Sequence, residues 1–150
     1  MNQWNKVKKQ DDIEMLMKAY GGFHDSCIKE LNYVSGASVD DKKNMYFGAP
    51  NDRELHIIFQ RQWDPITIEL CFSGLRRMNL VGWESNYFCD IFDSYLSFDN
   101  DLITGLDDNL IVWADNANFD VKNVAGGSAI KEPMTSFVIA NELKWRFISE

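Results

Sequence analysis

The sequence feature that most restricts the fold is a pair of neighbouring segments, residues 55–60 and 66–73, in which apolar and polar side chains alternate. A period of two places the apolar side chains on one face of a β-strand and the polar side chains on the other. Gln62-Trp63-Asp64-Pro65, between the segments, is typical of a turn, because proline fixes its own φ and aspartate favours turns. The pattern predicts a β-hairpin.

Four further runs have the composition of strands: residues 27–34, 87–98, 110–114 and 137–147. No helical pattern separates successive strands, and this arrangement favours antiparallel pairing over a parallel α/β sheet. The fold class that we predict is mainly β (α+β). An antiparallel sheet packed with one helix and a small sandwich or half-barrel both fit the pattern.

The one helical pattern lies near the N-terminus, at residues 11–22. Asp11 and Glu14 have the spacing of a capping box, and Gly21-Gly22 favours a left-handed exit. The apolar stripe of this short amphipathic helix consists of Ile13, Leu16, Met17 and Tyr20.

Length and composition indicate one compact domain spanning residues 1–150. The chain is 45% hydrophobic, which excludes a disordered chain. We find no targeting or lipidation motif and no apolar run long enough to cross a membrane, and we expect a cytoplasmic protein. Three widely spaced cysteines fit neither a disulfide framework nor a zinc site and are expected to be reduced.

The charge is acidic and unevenly distributed. The net charge of −8 disfavours nucleic acid and anionic membranes as partners. Residues 78–121 contain nine acidic side chains and no Lys or Arg. If these acids share one face, their potential would attract a basic protein, and exposed indoles would provide contact area. The alternative is that the acids are solvated in loops and the aromatics are core. The candidate binding residues are Trp83, Asp90, Asp93, Asp99, Asp101, Asp107, Asp108, Trp113 and Asp115.

No motif indicates a cofactor, a metal site or a catalytic centre, and we expect none of these. The run from Asp99 begins like an EF-hand loop, but Thr104 replaces the required glycine and Leu110 the bidentate glutamate. His24-Asp25-Ser26-Cys27 contains a base, an acid and two nucleophiles, but adjacency in sequence is weak evidence for catalysis. The simpler interpretation is a turn in which Asp25 and Ser26 bond turn amides and His24 packs beside Phe23.

Four segments carry a resemblance to a known group of proteins. They are Gly22-Phe23-His24-Asp25-Ser26, residues 58–62, residues 71–80 and Leu143-Lys144-Trp145-Arg146. The chain resembles a family of small uncharacterised bacterial proteins with a Phe-His-Asp-Ser motif, similar to immunity-type proteins encoded beside polymorphic toxins. The resemblance implies a short cytoplasmic binding protein and carries over no catalytic residues.

The leading hypothesis is a non-enzymatic protein-binding module whose partner is another, basic protein, in one version an immunity-type protein that neutralises a basic toxin. One alternative is a small hydrolase with an acidic cleft, for which Asp90 and Asp93 are the candidate carboxylates. Another alternative is a structural or self-assembling module. The sequence leaves the oligomeric state open.

Overall fold

A computed structural model describes residues 3–82, 89–100, 109–120 and 135–149 of the chain. In these residues the elements, in chain order, are β1 (Asn5–Val7), α1 (Gln10–Ala19), β2 (Ser26–Val34), β3 (Ser38–Val39), β4 (Met45–Tyr46), β5 (Glu54–Arg61), β6 (Thr67–Asn79), β7 (Tyr95–Asp99), β8 (Leu110–Ala114) and β9 (Phe137–Ile148). Short 3-10 turns occupy Gly21–Phe23 and Pro50–Asp52. The mainly β prediction with one N-terminal helix is confirmed.

The main sheet is antiparallel throughout, in the order β2-β5-β6-β9-β8-β7. β9 pairs with β6 along its whole length, while its other edge pairs first with β8 and then with β1. The predicted hairpin is β5–β6, in which Leu55 lies opposite Phe72 and Gln60 opposite Thr67. A separate two-stranded sheet consists of β3 and β4.

Alternation along β5, β6 and β9 divides the main sheet into two faces. The inner face carries the large apolar side chains and is covered by α1, whose Ile13, Leu16 and Tyr20 are buried. The outer face of these strands carries His56, Glu69 and other polar residues. At β8 the outer face is instead apolar, because Val112 and its neighbours pack with Tyr95 and Phe119.

The two edges of the sheet meet at one end. The amide of Ile91, in the segment before β7, donates to the carbonyl of Ser26 at the start of β2, at 2.7 Å. The amide of Ser94 donates to the carbonyl of Gly22 at 3.0 Å. β2 and β7 are the opposite edges of the sheet order, so the sheet curls around its inner face. Of the predicted architectures, this geometry is closest to the half-barrel.

Two local predictions were wrong. Asp12 caps the helix instead of Asp11, since its carboxylate accepts from the amides of Lys8 and Lys9 at 2.8 and 3.0 Å. The predicted strand 87–98 begins only at Tyr95, because the preceding described residues bond to the loop after α1 and to β2 instead of joining the ladder. Residues 87 and 88 lie outside the described part of the chain.

The sequence predicts no apolar run long enough to cross a membrane, and the helices can be compared with this prediction. Among the residues that the structure describes, no helix has the length and apolar character that a membrane span requires.

Candidate functional site

The predicted binding residues fall into two groups. Four of them lie outside the described residues: Trp83, Asp101, Asp107 and Asp108. The other five are described: Asp90, Asp93, Asp99, Trp113 and Asp115. Of this second group, Asp90 is exposed, the other aspartates are partly exposed and Trp113 is buried.

The described aspartates do not share one place on the β7–β8 hairpin. Tyr95 lies opposite Ala114 and Asp99 opposite Leu110, so Asp93 and Asp115 flank one end of the hairpin and Asp99 lies at the other. Four residues of strand separate the ends, a distance of about 13 Å. Asp115 also has a structural role, since its Oδ1 accepts from the amide of Ser136 at 3.1 Å.

Trp113 was wrongly predicted to contact a partner. Its exposed fraction is 0%, and its ring packs edge-on against Phe59 at 5.1 Å and Phe23 at 6.2 Å between ring centroids. The indole lies on the inner face of β8, where the core covers it. It contributes to stability and presents no surface to another protein.

His24 lies at the curled end of the sheet. Phe23 and Asp25 both have positive φ values, 63° and 53°, and this turn sends Phe23 into the core and leaves His24 partly exposed. Nδ1 of His24 lies 2.6 Å from the carbonyl oxygen of Phe92, and the two rings meet edge-on. The expectation that His24 packs beside Phe23 was therefore wrong. Ser26 bonds within the turn, but its hydroxyl donates to the carbonyl of Phe23 at 2.6 Å instead of bonding the predicted amides.

A shallow recess of about 320 Å³ lies beside this turn. The residues that line it include Asp25, Cys27, Cys89 and Asp90. Asp90 thus faces the turn that contains Asp25, while Asp93 lies 3.9 Å from His24. Asp90 and Asp93, the candidate carboxylates of the hydrolase alternative, therefore have different neighbours.

The most prominent exposed apolar surface lies elsewhere, at the end of β2 and on the β3–β4 hairpin. We call residues 33–47 the apolar arm. Of the ten exposed large hydrophobic side chains among the described residues, six belong to it. They are Tyr33, Val34, Val39, Met45, Tyr46 and Phe47. Val39 and Met45 lie directly opposite each other on the hairpin and therefore share a face. A concentration of exposed apolar side chains on a folded protein is typical of an interaction site.

The base of the apolar arm is closely packed. Gly36 and Gly48 have φ values of 75° and 68°, and a Cβ atom on Gly36 would lie 2.6 Å from the Cβ of Asp52. A Cβ atom on Gly48 would lie 2.9 Å from the carbonyl oxygen of Gly36. Only glycine permits both the left-handed backbone and this approach. Arg53 fixes the same region by donating to the carbonyls of Ala49 and Phe47 at 3.0 and 3.1 Å.

The tip of the arm is ordered by Asp40. Its carboxylate accepts from the amides of Lys42 and Asn44, each at 2.9 Å, and from the hydroxyl of Tyr46 at 3.1 Å. The hydrogen bond from the Asn44 amide is the largest cause of a lowered pKa for Asp40, and the remaining bonds add to it against a desolvation effect. Asp40 and Asp41 balance Lys42 and Lys43, so the tip has no net charge.

A polar cluster occupies the outer face of β5, β6 and β9. His56 lies opposite Cys71, with Nε2 3.5 Å from Sγ, and Nε2 is also 3.1 Å from Oε2 of Glu54. Nδ1 of His56 lies 2.8 Å from Oε1 of Glu69, and Arg146 donates to Oε2 of the same carboxylate at 2.7 and 2.8 Å. Glu54, His56 and Cys71 are the described residues grouped closely enough to hold a metal ion.

The cluster shifts the pKa values of two of its members. Burial, reinforced by the nearby Glu54 carboxylate, raises the pKa of the Cys71 thiol to about 11. Burial also acts to raise the pKa of Glu69, but the hydrogen bonds and charges of His56 and Arg146 outweigh it and hold that pKa below its ordinary value. Glu69 is therefore a carboxylate stabilised by two partners.

Comparison with known proteins adds no relative to this description. The chain matches no family model, no curated protein and no solved structure.

The sequence contains signals for the apolar arm and for the polar cluster, although neither was predicted. Asp40-Asp41-Lys42-Lys43-Asn44 is a polar turn between Val39 and Met45-Tyr46-Phe47, with Gly36 and Gly48 outside it. This pattern is consistent with a short hairpin with apolar strands. Glu54 and His56 have the spacing of one strand face, but their approach to Cys71 depends on the β5–β6 register.

Proposed function

We propose that this chain is a non-enzymatic protein-binding module and that its partner covers the apolar arm. The observation that carries this proposal is the concentration of exposed apolar side chains on a closely packed hairpin. Met45 is 63% exposed and Phe47 66% exposed, while glycine contacts and Arg53 hold the base. A surface that is ordered before binding loses less conformational entropy when a partner covers it.

The charge of the chain supports a basic partner. The net charge of −8 acts over the whole molecule, so it raises the encounter rate with a cationic protein at low salt. The neutral tip of the arm adds no repulsion to that encounter. Long-range attraction therefore comes from the body of the protein, and contact area comes from the arm. Asp90, Asp93, Asp99 and Asp115 belong to that body charge in this proposal.

The more specific form of the proposal is an immunity-type protein that neutralises a basic toxin in the cytoplasm. Its support is the resemblance carried by the segments at 22–26, 58–62, 71–80 and 143–146, together with the acidic charge. The analogy concerns the class of partner and does not identify the surface.

The test compares the proteins that co-purify with three forms of the tagged full-length chain, recovered at low salt from the cells that produce it. The forms are wild type, the arm variant Met45→Ser/Phe47→Ser, and the control Phe92→Ser. Phe92 is 74% exposed but lies outside the arm, so the control also removes an exposed aromatic side chain. We expect one stoichiometric companion with the wild type and the control, and its loss with the arm variant.

The proposal is wrong if the arm variant retains the companion or if no companion is recovered with any form. The self-assembly alternative gives a different result in the same preparation. Sedimentation velocity over a range of concentrations would show a mass that increases for the wild type and not for the arm variant, because a second copy would then cover the arm.

A further inference from the structure

The register of β5, β6 and β9 builds the polar cluster on their outer face. We call it the outer-face cluster, and its members are Glu54, His56, Glu69, Cys71 and Arg146. Glu54 and His56 are two residues apart on β5 and therefore share a face. Cys71 on β6 lies directly opposite His56, and Lys144 on β9 lies opposite Cys71. Directly opposite residues bring their Cβ atoms within about 5.5 Å. The sheet itself thus positions an imidazole, a thiol and a carboxylate as neighbours.

The two distances from Nε2 of His56 to its neighbours resemble edges of a tetrahedral metal site. With Zn–N near ~2.0 Å and Zn–S near ~2.3 Å, tetrahedral angles place N and S about 3.5 Å apart and N and O about 3.3 Å apart. In the structure Nε2 of His56 lies 3.5 Å from Sγ of Cys71 and 3.1 Å from Oε2 of Glu54. All three ligand atoms lie within 4.8 Å of one another.

The contacts of both ring nitrogens of His56 also fit a bound cation. Each of its ring nitrogens faces a carboxylate oxygen, at 2.8 Å for Glu69 and 3.1 Å for Glu54. A neutral imidazole has one N–H, so one of these contacts would place a nitrogen lone pair against an oxygen. A cation at Nε2 would remove that conflict and would also take the sulfur of Cys71, 3.5 Å from Nε2, as a ligand.

The other side of His56 has the arrangement that supports metal-binding imidazoles. Oε1 of Glu69 accepts from Nδ1, while Arg146 holds Oε2 of the same carboxylate. A carboxylate that bonds the second nitrogen fixes the tautomer and orientation of a metal-binding histidine. Glu69 is 7% exposed, so its position is determined by these partners.

Two cationic side chains, Lys144 and Arg146, lie near the group, and each of them also interacts with another side chain. Arg146 is paired with Glu69, and the Nζ atom of Lys144 lies 4.8 Å from the centre of the Trp4 ring. Glu54 is 41% exposed at its side chain, so solvent reaches one side of the group. A bound Zn²⁺ would be neutralised by the carboxylate of Glu54 and the thiolate of Cys71, and the thiol proton would pass to solvent.

We propose that Glu54, His56 and Cys71 bind a zinc-class divalent cation, with a water molecule as the fourth ligand. Thiolate, imidazole and carboxylate together are the donor set of zinc sites, and three protein ligands leave one coordination position open. Glu69 is a positioning residue that acts through His56.

The experiment uses the full-length chain stripped of metal by chelation and then dialysed against zinc chloride or cobalt chloride at neutral pH. Zinc per chain is measured by elemental analysis, and cobalt ligation by absorption, because thiolate ligation produces a charge-transfer band. The matched variants are Cys71→Ser, which removes the proposed sulfur ligand, and Cys27→Ser, which removes a thiol elsewhere. The double variant Cys27→Ser/Cys89→Ser retains Cys71 as its single thiol.

We expect one zinc ion per chain and a thiolate–cobalt band in the wild type, in Cys27→Ser and in the double variant. Cys71→Ser should lose the band, and Glu69→Gln should keep it while binding zinc roughly 10- to 100-fold more weakly. The proposal is overturned if the wild type binds less than one zinc ion, or if the double variant, which is informative even when Cys71→Ser does not fold, shows no thiolate band. Wild-type zinc affinity in a folded Cys71→Ser chain would overturn it as well.

Discussion

Replacement of Trp113 by alanine should lower the free energy of unfolding by a large amount that the structure allows us to estimate. The indole is fully buried and packs edge-on against Phe59 and Phe23. Truncation of a buried Trp to alanine costs about 3–5 kcal/mol. The two edge-on aromatic contacts favour a large loss, whereas removal of the buried indole N–H, which has no hydrogen-bond partner among the described residues, favours a smaller one, so we expect a value within that range.

The assay is urea unfolding at pH 7 followed by circular dichroism, with Phe92→Ala as the control. Phe92 is exposed and its ring contacts only His24 among the aromatic rings of the described residues, so the control should change the free energy of unfolding by less than about 1 kcal/mol. In a thermal scan Trp113→Ala should melt roughly 6–20 °C lower than the wild type. Trp113→Phe retains a ring in the core and should lose less stability, which keeps the comparison measurable if the alanine variant does not fold.

A loss below about 1 kcal/mol for Trp113→Ala would refute the reasoning, because a fully buried indole cannot be removed so cheaply. It would show that the ring is not part of the core. The original prediction of a surface contact would then be favoured again.

Three further predictions concern the helix, the outer face and the arm. Tyr20→Phe removes the hydroxyl that donates to the carbonyl of Ile66 at 2.8 Å and should cost about 1 kcal/mol in urea unfolding. The pKa of Glu69 lies below its ordinary value of 4.5, so its contribution to stability is present above pH 4.5 and is lost as the pH falls through the native pKa. Glu69→Gln should cost about 1–3 kcal/mol at pH 7 and flatten the decline below pH 4.5, and an unchanged decline would contradict the two-partner account of this carboxylate. Gly36→Ala, at a φ of 75° and with its new Cβ 2.6 Å from that of Asp52, should speed amide hydrogen exchange at residues 38–46, and unchanged exchange would show that the base does not order the arm.

A period of two predicted the β5–β6 hairpin, and the composition of apolar runs predicted further strands. The bounds of β8 agree with the predicted segment, and β2 and β9 differ from theirs by one residue. The side that each residue faces was less predictable in β8, where every residue is apolar. This strand is buried on both faces, because Phe119 and Phe137 pack near its outer face. Local sequence therefore did not show that Trp113 points into the core.

The candidate sites were harder to predict because they depend on contacts between distant segments. The outer-face cluster needs the turn at 62–65 to place Cys71 opposite His56, and a register shift of one residue would move them to opposite faces. The β3 and β4 strands of the apolar arm have two residues each, so they are too short for a periodic pattern to be recognised. The number of acidic residues is visible in the sequence, whereas the positions of Asp93, Asp99 and Asp115 follow from the β7–β8 pairing.

The central claim is that the apolar arm is the surface that a partner covers. The most direct test is the dissociation constant of the purified companion for the wild-type chain, for Phe47→Ser and for the control Phe92→Ser, measured by titration calorimetry. An anchor residue at the centre of an interface contributes about 2 kcal/mol or more, so we predict at least a roughly 30-fold weaker affinity for Phe47→Ser and wild-type affinity for the control. Equal affinity of Phe47→Ser and the wild type would contradict the claim.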